Sequence, residues 1–299
     1  MYYFSDHLPP TSPLYNKRFD ILQNLKLTFF NHNQLTMKRI VVLLFIFSSC
    51  QTFAQRWELE VFTGASVYRG DLDEKIIDIK SIRPAVNLNL KYKVNDQLYL
   101  RGGLAWGMVA GNDKNNKDSS LINRNLSFSS HVAEVSFCAE YLPLSPELYD
   151  IAYPYFFAGV GIFHFNPSAK DNNNEKVFLQ PLGTEGQGLS LYPTRKKYSR
   201  TQICIPMGGG MTFVINEKLK FSTEIGFRKL FTDYLDDVSS TYVDLNTLVE
   251  GSGKKSAEMS YRGKYIENYE MPIQGGSIRG NAKKKDWYYF AGVKFSWAL

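Results

Sequence analysis

The most constraining feature of this chain is a strict alternation of apolar and polar residues. Val86, Leu88, Leu90, Tyr92 and Val94 fall on one face of an extended segment, and Asn87, Asn89, Lys91 and Lys93 on the other. A period of two places successive side chains on opposite faces of a strand, so a chain built this way folds into sheet with one apolar and one polar face. After residue 54, no stretch reaches the ~18 consecutive apolar residues that a membrane-spanning helix needs. The spacing predicts strands over 56–68, 83–94, 97–111, 125–142, 153–165, 200–215, 218–231 and 286–298.

The connections between these segments decide what kind of sheet it is. Strands two and three are joined by Asn95 and Asp96, strands six and seven by Asn216 and Glu217, and strands four and five by a Pro-containing turn over 142–146. The other joins are the polar segments 69–82, 112–124, 166–199 and 232–285. Short turns that alternate with long loops around an even number of strands are the pattern of an up-and-down outer-membrane barrel: short periplasmic turns, longer extracellular loops. A sandwich has no reason to sort its loops in this way. The expected fold is therefore an all-β, antiparallel transmembrane barrel of eight strands, closing on the aromatic strand Trp287–Leu299.

If the apolar faces meet lipid, the opposite faces carry Glu58, Glu60, Glu134, Glu140 and Glu224 against Lys91, Lys93, Arg101, Arg228 and Lys294. Five acids thus face five bases. The interior of an eight-stranded barrel is just wide enough to be filled by side chains, so this balance predicts a paired, plugged lumen and no open aqueous pore. Aromatic content is 15%, and Trp57, Tyr99, Tyr141, Tyr153, Tyr155, Trp287 and Trp297 are expected in the two interfacial girdles. Glycines at 102, 103, 107, 159, 161 and 208–210 would bend strands or leave room for a neighbour's long side chain.

Met37, Lys38 and Arg39 precede the short apolar run Ile40–Phe47 and the small residues Ser48 and Ser49, the build of a secretory signal peptide. The run is too short to anchor the chain. Residues 37–54 are expected to be removed after Ala54, the rival being a lipoprotein-like site at Cys50. Residues 1–36 precede a complete signal sequence and read as an extension from a start assigned too early. Residues 55–299 form the barrel domain.

The net charge of +6 is spread out, without the basic helix or aromatic-interleaved patch of a nucleic-acid binder, so nucleic acid is not expected as a partner. His131 and His164 both fall within strands, with no acid or nucleophile cluster beside them, and no enzymatic activity, cofactor or metal is expected. Cys138 and Cys204 are placed near opposite ends of their strands, a separation of roughly 20 Å at ~3.3 Å per residue, which predicts free thiols. Asp233, Asp236 and Asp237 lack the alternate-position spacing of a calcium loop and are expected to be solvated or to cap a helix. Their loop, 232–285, carries eight acids and eight Lys or Arg, and it is long enough to cap the lumen or present a docking surface.

Two segments carry a resemblance. Phe231-Thr232-Asp233-Tyr234-Leu235-Asp236-Asp237-Val238-Ser239, leading to Tyr242-Val243-Asp244, and Gly64-Ala65-Ser66-Val67-Tyr68-Arg69-Gly70-Asp71-Leu72 resemble the PorG-type outer-membrane barrels of Bacteroidota. The resemblance extends over the chain from residue 55 onward. It implies the barrel fold, an outer-membrane location, and a non-enzymatic structural or anchoring role in type IX protein secretion, with periplasmic ring proteins as partners beside outer-membrane lipid. Many members of that family have no assigned role, and the resemblance transfers no catalytic residue. The alternative reading is a narrow channel for small solutes.

Overall fold

The computed structural model describes residues 56–73, 79–144, 151–263 and 274–299, all within one unit, Arg56–Leu299. The expected extension 1–36, the signal peptide 37–54 and Cys50 lie outside the described residues. Eight long strands form one sheet: β1 (Trp57–Arg69), β2 (Arg83–Lys93), β3 (Leu98–Asn112), β4 (Ser127–Tyr141), β5 (Ala152–Phe165), β8 (Thr201–Val214), β9 (Leu219–Leu230) and β10 (Trp287–Ala298). A small hairpin, β6 (Ser168–Lys170) and β7 (Lys176–Phe178), hangs from β4 through Ser129 opposite Ser168. Every long strand pairs antiparallel with the next, and β10 returns to β1 with Glu58 opposite Ala298 and Arg69 opposite Trp287. The sheet is a closed eight-stranded barrel, so no long strand presents an unpaired edge.

Local chemistry sets the short turns. The Asn95 side-chain oxygen accepts from the backbone N–H of Gln97 and Leu98 at 3.0 and 2.8 Å. Asn216 does the same for Lys218 and Leu219, both at 2.9 Å. Each Asn side chain adds to the backbone bonds that its own N–H and that of the residue before it donate to the Leu98 or Leu219 carbonyl, and fixes a tight reversal.

Burial follows the alternation. Leu104, Val135, Val160 and Ile203 point out of the barrel and are 57 to 67% exposed. With Leu59, Val61, Leu88, Leu90, Phe137, Phe156 and Ile225 they form an apolar outer wall. In water such a surface would be costly, and a hydrocarbon surrounding removes that cost. No described helix is long and apolar enough to cross a membrane; the apolar surface is carried by strands.

The inner face needs two glycine pairs. Gly64 lies opposite Gly292, and Gly208 opposite Gly226, all four on inward positions. A Cβ at either residue of the first pair would stand 2.9 Å from the Phe62 ring, and one at either residue of the second 2.9 Å from that of Phe157. The missing side chains let these two rings lie flat against the wall.

The long loops are folded. Loop 112–124 contains helix α1 (Ser119–Arg124), capped by the Asp118 side chain on the Ser120 N–H at 2.8 Å. The last loop contains α2 (Leu245–Ser252), capped by Asp244, and α3 (Lys254–Ser260). Val243, Leu245, Leu248 and Ala257 bury a small core of their own there.

Candidate functional site

The candidate site is the interior of the barrel and the cap above it. Toward the short turns, three buried cations bridge four carboxylates. Lys91 Nζ stands 2.7 Å from Glu140, 3.3 Å from Glu60 and 3.5 Å from Glu58. Arg101 Nη1 donates to Glu224 at 2.7 Å and Glu140 at 3.3 Å, with its guanidinium 3.9 Å above the Phe157 ring. Lys294 Nζ is shared between Glu60 at 3.1 Å and Glu224 at 3.2 Å. Tyr155 donates its hydroxyl to Glu224 at 2.8 Å, and Ser296 donates to Glu60 at 3.1 Å. In so dry a space each charge is tolerable only because partners surround it.

One expected member stands apart. Lys93 keeps the inward parity but sits at the end of β2, where its ammonium pairs with Asp96 of the turn at 2.8 Å and is 40% exposed. Its place in the network is taken by Lys220, which reaches Glu58 at 2.6 Å. Lys220 has the same parity as Glu224 and Arg228, so the period-two pattern of β9 would have found it.

Further up, Arg228 Nε meets Glu134 at 3.1 Å, and Tyr288 donates to the same carboxylate at 2.6 Å. Arg228 also lies 4.3 Å above the Phe290 ring. Around this pair and above it the lumen is lined with rings: Phe62, Phe128, Phe163, Phe165, Tyr68 and Phe290 are all buried in one cluster that begins level with Lys294 and runs up to the rim. This aromatic layer was not visible in the charge pattern, because it is built from inward positions of strands whose outward positions are also apolar.

The expected girdle divides. Tyr141 and Trp297 are outside and half exposed. Tyr99, Tyr153 and Tyr155 point inward and are 3%, 3% and 1% exposed, packed with Leu142 and Phe157. They floor the lumen and do not anchor the wall. Tyr99 shares the parity of Arg101, and that parity outweighs its position near a strand end.

Both cysteines are free and buried. The expected 20 Å separation is too long. Cys138 lies opposite Gly159, and Cys204 opposite Gly161, only two residues further along β5. Strand stagger in a closed barrel brings to similar levels positions that look distant when strands are compared end to end. His131 and His164 are exposed on the outer wall, His131 with its ring 5.5 Å from Trp106 and His164 3.0 Å from the Thr201 hydroxyl.

The cap is made by the segment 232–243, the loop 179–198 and the residues just before β10. Here the expectation of solvated aspartates fails: Asp233, Asp236 and Asp237 are 2%, 1% and 1% exposed, and Leu235 is fully buried. Thr232 stands beside them at the end of β9, its backbone oxygen accepting from the Asp286 N–H at 3.3 Å. Arg279 holds the centre, donating to Glu185 at 2.8 Å and to the Asp237 carbonyl at 2.6 Å. Glu185 also accepts from the Ser239 N–H at 2.9 Å, the Ser240 hydroxyl at 2.6 Å and the Tyr234 hydroxyl at 3.2 Å. Asp237 accepts from Tyr198 at 2.8 Å and Thr184 at 2.5 Å. The Tyr68 hydroxyl donates to Asp236, tying the cap to the end of β1, and the Leu235 N–H donates to Asp286 at 2.9 Å. A second clamp, Arg124 on Asp113 at 2.6 and 2.7 Å, holds α1 to the rim.

Burial sets the ionisation of the cap. It lifts Asp233 to about 7, helped by Asp71 nearby, and lifts Asp237 to about 6 against the downward pull of Arg279. Asp236 and Asp286 are driven well above the usual carboxylate range, by burial first and then by neighbouring carboxyls. Carboxyls lifted in this way hold their protons more tightly than they would in water. Among the described residues no group of three or more His, Cys, Asp or Glu stands where it could hold a metal ion.

Comparison with known proteins places residues 37–181 in a match to a family described as a domain of unknown function, DUF6089. No curated protein matches the chain. Among solved structures, Neisserial surface protein A superposes with a TM-score of 0.40 at 7% identity, covering 81% of this chain and 97% of that one. OprG of Pseudomonas aeruginosa gives 0.38 at 9% identity over 82% and 98%. Ail of Yersinia pestis, in complex with a heparin analogue, gives 0.37 at 10% over 81% and 98%. The barrel of this chain stands on its own strand pairing.

Proposed function

We propose that this chain is a non-enzymatic barrel of the outer membrane, closed to solutes, that anchors other proteins and serves type IX protein secretion through periplasmic ring partners. The observation that supports the first part is the filled interior. A paired charge network, an aromatic layer and a hydrogen-bonded cap lie in series along the lumen. A barrel built to conduct would leave water along that path, and one built for lipid or peptide chemistry would bring a nucleophile and a base together. The apolar wall of exposed Leu104, Val135, Val160 and Ile203 supports a membrane location. The secretion role rests on the resemblance of 231–244 and 64–72 to the PorG-type barrels, and the folded loops and short turns are the surfaces left for contacts.

Two measurements test this. Single-channel recording of the purified chain in a planar bilayer is expected to show no steady conductance. Discrete open levels would establish the narrow-channel reading instead. Deletion of the gene is expected to stop secretion of carrier-tagged cargo with small-solute permeability unchanged, and normal secretion in the deletion strain would remove the pathway while leaving the closed barrel intact.

A further inference from the structure

On the outer wall, at the long-loop rim, a cavity of about 540 Å³ opens between the tops of β3 and β4, the turn at 79–83 and the β6–β7 hairpin. Four cationic side chains line it, Lys80, Arg83, Lys170 and Lys176, and its described lining holds no carboxylate. Lys170 and Lys176 are exposed and form no ion pair among the described residues. The Arg83 guanidinium is oriented by the carbonyls of Lys80 and Ile82 at 3.0 and 2.8 Å, which accept from it without neutralising its charge. Ser127 and Ser129 add hydroxyls on the β4 side.

What lies beneath decides the occupant. Met108 and His131, opposite each other on β3 and β4, form the lower edge of the cavity. One step lower come Trp106 opposite Ala133, then Leu104 opposite Val135 on the bare apolar wall. The Trp106 ring, 40% exposed, marks the height at which such rings sit between hydrocarbon and head groups. The cavity therefore lies at head-group height, positive above and continuous below with a surface suited to acyl chains. A free anion would use only the upper half and an apolar peptide only the lower.

We infer that this cavity is a binding site for the phosphorylated head group of an outer-leaflet lipid, with Arg83, Lys170 and Lys176 on the phosphate and the acyl chains lying along the wall below Trp106. The site rests on the outer-membrane reading given above.

The test uses the full chain in detergent, titrated with diphosphoryl lipid A, with its dephosphorylated counterpart and with inorganic phosphate, and bound lipid counted by native mass spectrometry. The diphosphoryl form is expected to bind in preference to the dephosphorylated one, and inorganic phosphate to leave it in place. Lysines near a membrane surface contribute about 1 kcal/mol each, so the double variant Lys170→Gln/Lys176→Gln is expected to bind roughly 25-fold more weakly. Adding Arg83→Gln should take the loss to about a hundredfold. The matched variant Lys254→Gln/Lys283→Gln, on exposed loop lysines away from the cavity, is expected to bind as the parent does. Heat-modifiable migration on gels confirms that each variant keeps a folded barrel. Equal binding by parent and triple variant would overturn the site, and so would displacement of the lipid by inorganic phosphate. Membrane fractionation separates the two ideas: lost lipid preference in a chain still found in the outer membrane overturns the site alone, whereas a chain recovered elsewhere overturns the location and the lipid with it.

Discussion

Lys294 shows how much one residue can hold. It is completely buried, and its ammonium lies within 3.2 Å of both Glu60 and Glu224. Removing one partner from a buried ionic cluster strands the others, so Lys294→Met is expected to cost about 3–5 kcal/mol, read by urea unfolding in vesicles. Adding Glu60→Gln should recover part of that loss, since it removes a carboxylate that the first change left uncompensated. Lys93→Ala is the control. Its exposed pair with Asp96 should contribute less than about 1 kcal/mol, and a loss as large as that of Lys294→Met would mean that the two lysines share one network after all. Both lysines lie on inward positions of strands, and the sequence pattern does not distinguish them. What separates them is depth, since the charge of Lys93 reaches water at the mouth and that of Lys294 does not.

At the level of elements, the strands and short turns were legible because their causes are local. Alternation within β2 and β4 and the side-chain-capped turns at Asn95 and Asn216 depend on neighbours a few residues away. Legibility ends where both faces of a strand are apolar. In β5, inward Phe157 and Phe163 read the same as outward Phe156 and Ile162, so the aromatic layer in the lumen and the inward turn of Tyr153 and Tyr155 were hidden. The cap was hidden for another reason: Arg279 meets Glu185 across 94 residues, and Tyr68 meets Asp236 across 168, with no periodicity to announce either. The face assignment itself can be tested on β3. Leu104→Arg places a charge on the bare wall and should cost ~2–4 kcal/mol near mid-membrane. A shortfall in folding yield into vesicles, relieved in the thinner surroundings of a micelle, would be the expected signature; indifference to the bilayer would put Leu104 outside it.

For the whole molecule, the cap responds to pH. The Asp233 carboxyl is lifted from 3.8 to about 7 when the cap is closed, and that of Asp237 to about 6. A closed state that holds its protons more tightly than the open one is favoured in acid. Its advantage is complete below the open-state value near 4 and is lost as pH rises through about 6 and 7. Hydrogen exchange over 232–243 is therefore expected to speed up from pH 5 to pH 8 beyond the intrinsic rate, and Asp233→Asn should flatten the Asp233 part of that rise. Protection that grows with pH would reverse the assignment.

The bond from Tyr68 to Asp236 has a mechanical meaning. Tyr68 is the last residue but one of β1, directly opposite Tyr288 of β10, and Asp286 immediately precedes β10. The join between β1 and β10 brings together residues as far apart as Glu60 and Ser296, 236 positions along the chain, so among the barrel's strand pairings it closes the longest loop. Asp236 and Asp286 sit across that join. They act as a latch on a zip: their bonds to Tyr68 need β1 and β10 side by side, and they resist sideways parting of the one pair of staves that sequence order does not hold together.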